Sequence, residues 1–205
     1  MEFKTVGTWL AVACLFASPG LLGCSSSSNN TAAPSPTFSQ RFLLSANEPS
    51  AGWQIAQADA GTNDYTTGGA VWTGTADAFF NNVDGTAASY ASAGCQTILV
   101  QNLANVGSAA TASETAVVIA ADCVSAANAQ TMFQSQQQLY SFESITLSGY
   151  DPSVAFAIGA LGGSANAYAH FKQYYFEIDL TGYADQPTAL NDLPNFLAYF
   201  STKSQ

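Results

Sequence analysis

The chain has 205 residues and a formal net charge of −10, with 9% charged residues against 48% hydrophobic ones. Such a composition folds, because disorder goes with few apolar and many charged residues. The acidic balance excludes nucleic acid as a partner and excludes electrostatic docking on anionic lipid, since both need a basic surface.

At the start, Glu2 and Lys4 precede an apolar run from Trp9 to Ala17, which Ser18-Pro19-Gly20 interrupts before small residues and Cys24. A charged beginning, a short greasy centre and a small-residue end read as an export signal. Spanning hydrocarbon takes about 20 apolar residues, and this run stops short of that. The ending Leu21-Leu22-Gly23-Cys24 resembles the lipobox of bacterial lipoproteins. That resemblance implies that residues 1–23 are removed as a signal peptide and that Cys24 becomes acylated, palmitate included. Cys14 also follows small residues, but a cut there leaves too little greasy segment. Two or more acyl chains hold a protein durably, so the membrane is contacted through lipid alone. The same lipoprotein resemblance implies, from Ser25 in place of an aspartate after the cysteine, sorting to the outer membrane. Residues 24–37 lack charge, aromatics past Cys24 and periodicity, so they form a flexible tether. The 168 residues of 38–205 make one globular domain.

Trp53 to Ala58 alternates apolar and polar residues as a strand does. Asp59 to Gly69 reads as a loop, followed by a short strand at Ala70-Val71-Trp72. Thr75 fits a helix N-cap ahead of Ala78, Phe79, Phe80 and Val83. Asp84-Gly85 breaks that helix, and a second one over Thr86 to Ala93 ends at Gly94. Thr97–Leu103 and Glu114–Asp122 pair as a hairpin about residue 109, which sets Val100 against Val118 and Leu99 against Ile119. The same fold-back brings Cys95 opposite Cys123, and a cysteine pair in an exported chain reads as a disulfide. The Cys-x-x-Cys spacing of a redox pair is absent. Ser125 caps a further helix running toward Gln138. Strand-like runs follow at Phe142–Ser148, Val154–Ala160, Ala167–Phe171 and Tyr174–Leu180, the last two joined by a turn at Lys172. Leu190, Leu193, Phe196, Leu197 and Phe200 share one helical face, with Pro194 starting or kinking that helix and Asp185-Gln186-Pro187 offering an earlier start. The expectation is an α+β domain: a central antiparallel sheet with helices packed against it.

The run from Ala78 to Tyr90, with Gly94 following, resembles the helix–Asp-Gly–helix segment of a family of uncharacterised exported bacterial proteins. Val117–Asp122 before a helix and Ala169–Ile178 fit the same pattern, so the likeness spans most of Trp53 to Leu180. Asp84 stands where the family has Asn, and Cys95 stands where it has an aromatic residue. The resemblance implies a fold and transfers no catalytic residue.

Chemistry is sparse. His170 is the sole histidine, and no Gly-x-Ser-x-Gly elbow accompanies it, so a solvated residue near a turn explains it more simply than a triad does. The nitrogen and sulfur inventory excludes zinc, and neither a metal nor a cofactor is expected. Asp59, Asn63 and Asp64 are oxygen-rich, but their spacing is that of a turn rather than an EF-hand. Glu177 and Asp179 share one strand face, which alternation assigns to solvent. Asp122 and Glu143 sit near strand ends. Trp53, Trp72 and Tyr174 are the candidate ligand-binding residues, joined by Tyr150, Tyr168 and Tyr175 if they form a flat surface for a neutral ligand. The function expected is that of a non-enzymatic envelope lipoprotein binding a partner protein or neutral ligand. A carboxylate-dependent hydrolase of envelope polymers and a structural envelope protein are the alternatives.

Overall fold

The computed structural model describes residues 36–56, 70–82, 88–107 and 114–205. The signal-like segment, Cys24 and the tether lie outside these residues. So do the loop around Asp59, Asn63 and Asp64 and the Asp84-Gly85 break. In chain order the elements are α1 (Phe38–Phe42), β1 (Trp53–Ile55), β2 (Val71–Thr75), α2 (Ala76–Asn82), α3 (Ala88–Ser92), β3 (Thr97–Asn105) and β4 (Thr115–Asp122). They continue with α4 (Ala126–Leu139), β5 (Ser144–Ile145), β6 (Ala155–Ala160), β7 (Ser164–Phe171), β8 (Tyr174–Thr181) and α5 (Gln186–Lys203).

The strands build one antiparallel sheet in the order β1-β3-β4-β8-β7-β6-β5, and β2 also pairs with β3. β1 and β2 follow one another along β3, opposite Asn105–Leu103 and Gln101–Thr97 respectively. Helices cover both faces, because β3 and β4 are apolar on both. On one face Phe42, Trp53, Phe176, Phe196 and Phe200 form a core with α1 and α5. On the other, Phe79, Tyr90, Ile98, Met132, Phe133 and Tyr175 form a second core beneath α2, α3 and α4. The α+β domain with an antiparallel sheet is therefore the fold observed.

The ends of these elements follow local chemistry. Ser125 accepts a hydrogen bond from the Asn128 N–H to start α4, and Asp185 accepts one from the Thr188 N–H to start α5. Pro194 lies inside α5 rather than at its beginning. Gly94 turns the chain out of α3 at φ +81°, where a Cβ would lie 2.6 Å from the Asn128 side-chain nitrogen. The Cys95–Cys123 disulfide is formed and ties the end of α3 to the end of β4.

Two expectations need correction. The β3–β4 register pairs Val100 with Ile119 and Leu99 with Ala120, one residue away from the predicted alignment. Both faces of this hairpin are apolar, so the residue pattern could not set the parity. The run Phe142–Ser148 contributes only Ser144 and Ile145 to the sheet.

Gln101 had drawn no notice in the sequence, yet it is fully buried in the middle of β3. Its side-chain oxygen accepts from the Leu44 N–H at 2.7 Å, and its nitrogen donates to the Phe42 carbonyl at 3.0 Å. One amide thereby fastens the exit of α1 to the sheet and satisfies two buried backbone groups. Gln101→Leu leaves both unpaired and is expected to cost about 2–3 kcal/mol in urea unfolding. Removing the bridge in Cys95→Ala/Cys123→Ala, with its 28-residue separation, is expected to cost about 3 kcal/mol. Losses below about 1 kcal/mol would contradict either assignment.

Candidate functional site

The aromatic residues singled out in the sequence do not converge. Trp53 is 1% exposed and packs edge-on against Phe196, and Tyr174 is 8% exposed beside Phe38 and Phe42, both in the α1–α5 core. Trp72 lies against Phe79 across the sheet in the other core. His170 donates from Nε2 to the Ser153 carbonyl at 2.9 Å, and its ring sits 5.0 Å from that of Phe133.

What the fold does assemble is a carboxylate strip on the α2–α4 side of the sheet. Alternation along β8 sends Phe176, Ile178 and Leu180 into the α1–α5 core and turns Tyr175, Glu177 and Asp179 the other way. The sequence had placed these acids on a solvent face. That face is instead the floor under the helices, and both acids are half-buried. Across the strands, Asp179 stands between Val117 of β4 and Asn166 of β7. Asn102 of β3 extends the same row beyond Val117. Asn102, Val117, Asp179 and Asn166 are all half-buried, so this row forms a shelf that opens to solvent beside the helices. In the next row inward, Glu177 stands between Ile119 and Tyr168.

Tyrosines enclose the inner side of the shelf. Tyr90, carried by α3, donates its hydroxyl to Glu177 Oε2 at 3.0 Å. The disulfide at Cys95 secures the end of that helix, and the Cys95 N–H bonds the Tyr90 carbonyl at 2.9 Å. Tyr168 is stacked between Phe156 and Tyr140, with ring centres 5.0 and 5.4 Å away. Tyr175 sits edge-on to Tyr90 at 5.8 Å. Its hydroxyl is buried and has no hydrogen-bond partner among the described residues.

Asn166 donates to Asp179 Oδ1 at 2.5 Å. Burial disfavours the charged carboxylate and pushes the Asp179 pKa up to about 6, although the Asn166 bond acts in the opposite direction. The Tyr90 and Tyr175 phenols are pushed up first by burial and then by the Glu177 charge, so both stay neutral. Perturbed acids cluster at functional sites, which makes Asp179, two residues from Glu177 on one strand face, the candidate.

The cavities among the described residues lie elsewhere on the surface, away from this row. A cavity of about 350 Å³ is lined by His170, Phe171, Lys172 and Ser204, and one of about 430 Å³ by Thr75, Asp77, Gly94 and Cys95. A third, of about 470 Å³, lies against Leu147, Leu190 and Pro194. None of the three contains two acids. Among the described residues no group of three His, Cys, Asp or Glu side chains is placed to hold a metal ion. Among them, too, no helix is long and apolar enough to cross a membrane.

No family model matches the chain, and no curated protein sequence matches it significantly. Among solved structures it is similar to the extracellular domain of PknH from Mycobacterium tuberculosis, at 14% identity over 79% of this chain and 92% of that one, with a TM-score of 0.48.

An acid whose pKa rises on folding holds its proton more tightly in the folded chain, so stability falls as pH rises from the unfolded value of 3.8 to about 6. Between pH 4 and 7 the wild type is expected to lose up to about 3 kcal/mol relative to Asp179→Asn, measured by urea unfolding across that range. Parallel curves for the two proteins would show that Asp179 titrates normally.

Proposed function

We propose that this chain is an exported lipoprotein, held at the bacterial outer membrane through acyl chains on Cys24, whose domain binds a small ligand or partner and performs no catalysis. The observation that carries the binding reading is the half-open shelf where Asp179 and Asn166 meet solvent while Glu177 is gripped from behind by Tyr90. The Leu21-Leu22-Gly23-Cys24 ending supports the anchor. The Cys95–Cys123 bridge supports export, because such bonds persist in oxidising compartments. With 13 acids beyond Glu2 facing only Arg41, Lys172 and Lys203 past the signal, lipid chains rather than surface charge would hold the domain at the membrane.

A second reading, hydrolysis of envelope polymers, draws on the same strip. An acid that keeps its proton to about pH 6, beside another carboxylate, has the asymmetry that glycoside hydrolysis uses. Release of new reducing ends from purified envelope glycans, lost in Asp179→Asn, would establish that reading in place of simple binding.

The anchor is tested by metabolic labelling with palmitate followed by membrane fractionation. Label on the wild type and none on Cys24→Ala, with the variant shifted out of the membrane fraction, is the expected result. A mature chain whose first residue precedes Cys24 and which bears no acyl mass would contradict it.

A further inference from the structure

The chain is acidic, and only four described side chains can carry a positive charge: Arg41, His170, Lys172 and Lys203. Two of them, His170 and Lys172, line one cavity. This space of about 350 Å³ opens where the β7–β8 turn meets the start of α4 and the last turn of α5. No Asp or Glu side chain is among the described residues that line it. It lies at the Tyr174 end of β8, whereas Asp179 lies toward the other end.

Hydrogen bonds hold the walls in place. The Cys123 N–H donates to the Gln173 carbonyl at 2.9 Å and fixes the turn against the end of β4. His170 is held through Nε2 by the Ser153 carbonyl, and its Nδ1 has no hydrogen-bond partner among the described residues. A two-residue hairpin turn with left-handed backbone favours asparagine or glycine, yet this one carries Lys172 at φ +54°. The exposed Lys172 amine donates to the Gln205 main-chain oxygen at 2.8 Å and keeps two further N–H donors. Carbonyls at the end of a helix repel an anion, but the Ser204 hydroxyl covers the Phe200 carbonyl at 2.7 Å. The Ser201 hydroxyl, on the same wall, has no partner among the described residues. Ala126, Val154 and Phe171 supply the apolar part of the lining.

We propose that this cavity binds a small organic carboxylate, with its acid group at the Lys172 amine and the Ser201 hydroxyl and its apolar body against Phe171, Val154 and Ala126. The site is separate from the Asp179 shelf, so the inference goes beyond the reading given above and is tested apart from it. One lysine, without the two-pronged grip of an arginine, on an otherwise uncharged wall suits a monoanion with an apolar body better than a phosphate. A cavity of about 150 Å³ takes benzene, so this one has room for a ring and a short acidic arm. The fixed turn and the held histidine keep the site formed before the ligand arrives, which lowers the cost of binding.

The test is calorimetric and NMR titration of the full-length protein with 3-phenylpropionate and, separately, with 3-phenylpropanol and sodium phosphate. The carboxylate is expected to bind with a millimolar or tighter dissociation constant and to move the amide resonances of Ala126, Phe171, Lys172 and Ser201. The alcohol, equal in shape but uncharged, is expected to bind about tenfold more weakly. Lys172→Met keeps the side-chain length, removes the charge and is expected to weaken carboxylate binding about tenfold. Ser201→Ala is expected to weaken it about threefold. Ala126→Phe, at an exposed position, fills the cavity and is expected to remove binding altogether. Equal affinity for acid and alcohol, or unchanged affinity in Lys172→Met, would overturn the proposal. Phosphate that moves the same amides as strongly would overturn it too, since the apolar body would then contribute nothing. Shifts confined to Asn166, Glu177 and Asp179 would support the shelf as the binding site and sink this one. No shift at the four cavity amides with any probe also refutes it.

Discussion

β8 pairs with β4 along one edge and with β7 along the other, and helices lie over both of its faces. A strand in that position is expected to be apolar throughout. This one is apolar on the α1–α5 side, through Tyr174, Phe176, Ile178 and Leu180, and carries Tyr175, Glu177 and Asp179 on the other. Holding carboxylates there is costly, since burial disfavours their charge. The chain meets that cost with three devices: the Tyr90 hydroxyl on Glu177, the Asn166 amide on Asp179, and a proton retained to about pH 6. The first two devices depend on elements other than β8, namely α3 and β7.

The disulfide takes its meaning from the same constraint. α3 is only five residues long, too short to persist unaided. Gly94 turns the chain out of it, and Cys95 is then bonded across to Cys123 at the end of β4. Asn128, on the first turn of α4, donates to the Cys123 carbonyl at 2.9 Å and packs beneath Gly94. Bridge, glycine and asparagine together hold Tyr90 above β8. A feature read from the sequence as general stabilisation is thus also a positioning device for one hydroxyl.

Much of this was legible before any coordinates. Strong periodicity identified β8 and α4 within a residue or two and the apolar face of α5, though it left open where that helix starts, and the cysteine pair identified the bridge. What escaped notice shares a physical origin. The polar half of β8 was assigned to solvent because alternation reveals two faces but not which elements lie over them. The β3–β4 register slipped by one because Val100, Leu99, Val118 and Ile119 are apolar whichever way they point. Gln101 was overlooked since an amide inside an apolar run looks like a surface position, and its partners, Phe42 and Leu44, are 59 and 57 residues away. α1 was missed because five residues give no period, although Thr37 and Gln40 form a capping box around its start. Trp53 and Tyr174 were candidates for a surface and turned out to be core, the commoner fate of large aromatics.

The account stands or falls on Asp179 being an acid held on a covered face. Carbon-13 NMR of the side-chain carboxyls, followed from pH 3 to pH 8, measures this without reference to stability or ligand. One carboxyl resonance with a midpoint near pH 6, absent from the spectrum of Asp179→Asn, is the result expected. If every aspartate and glutamate signal instead titrates at or below the ordinary carboxylate range of about 4, Asp179 is not the perturbed acid placed here, and the reading of the strip as a functional site does not survive.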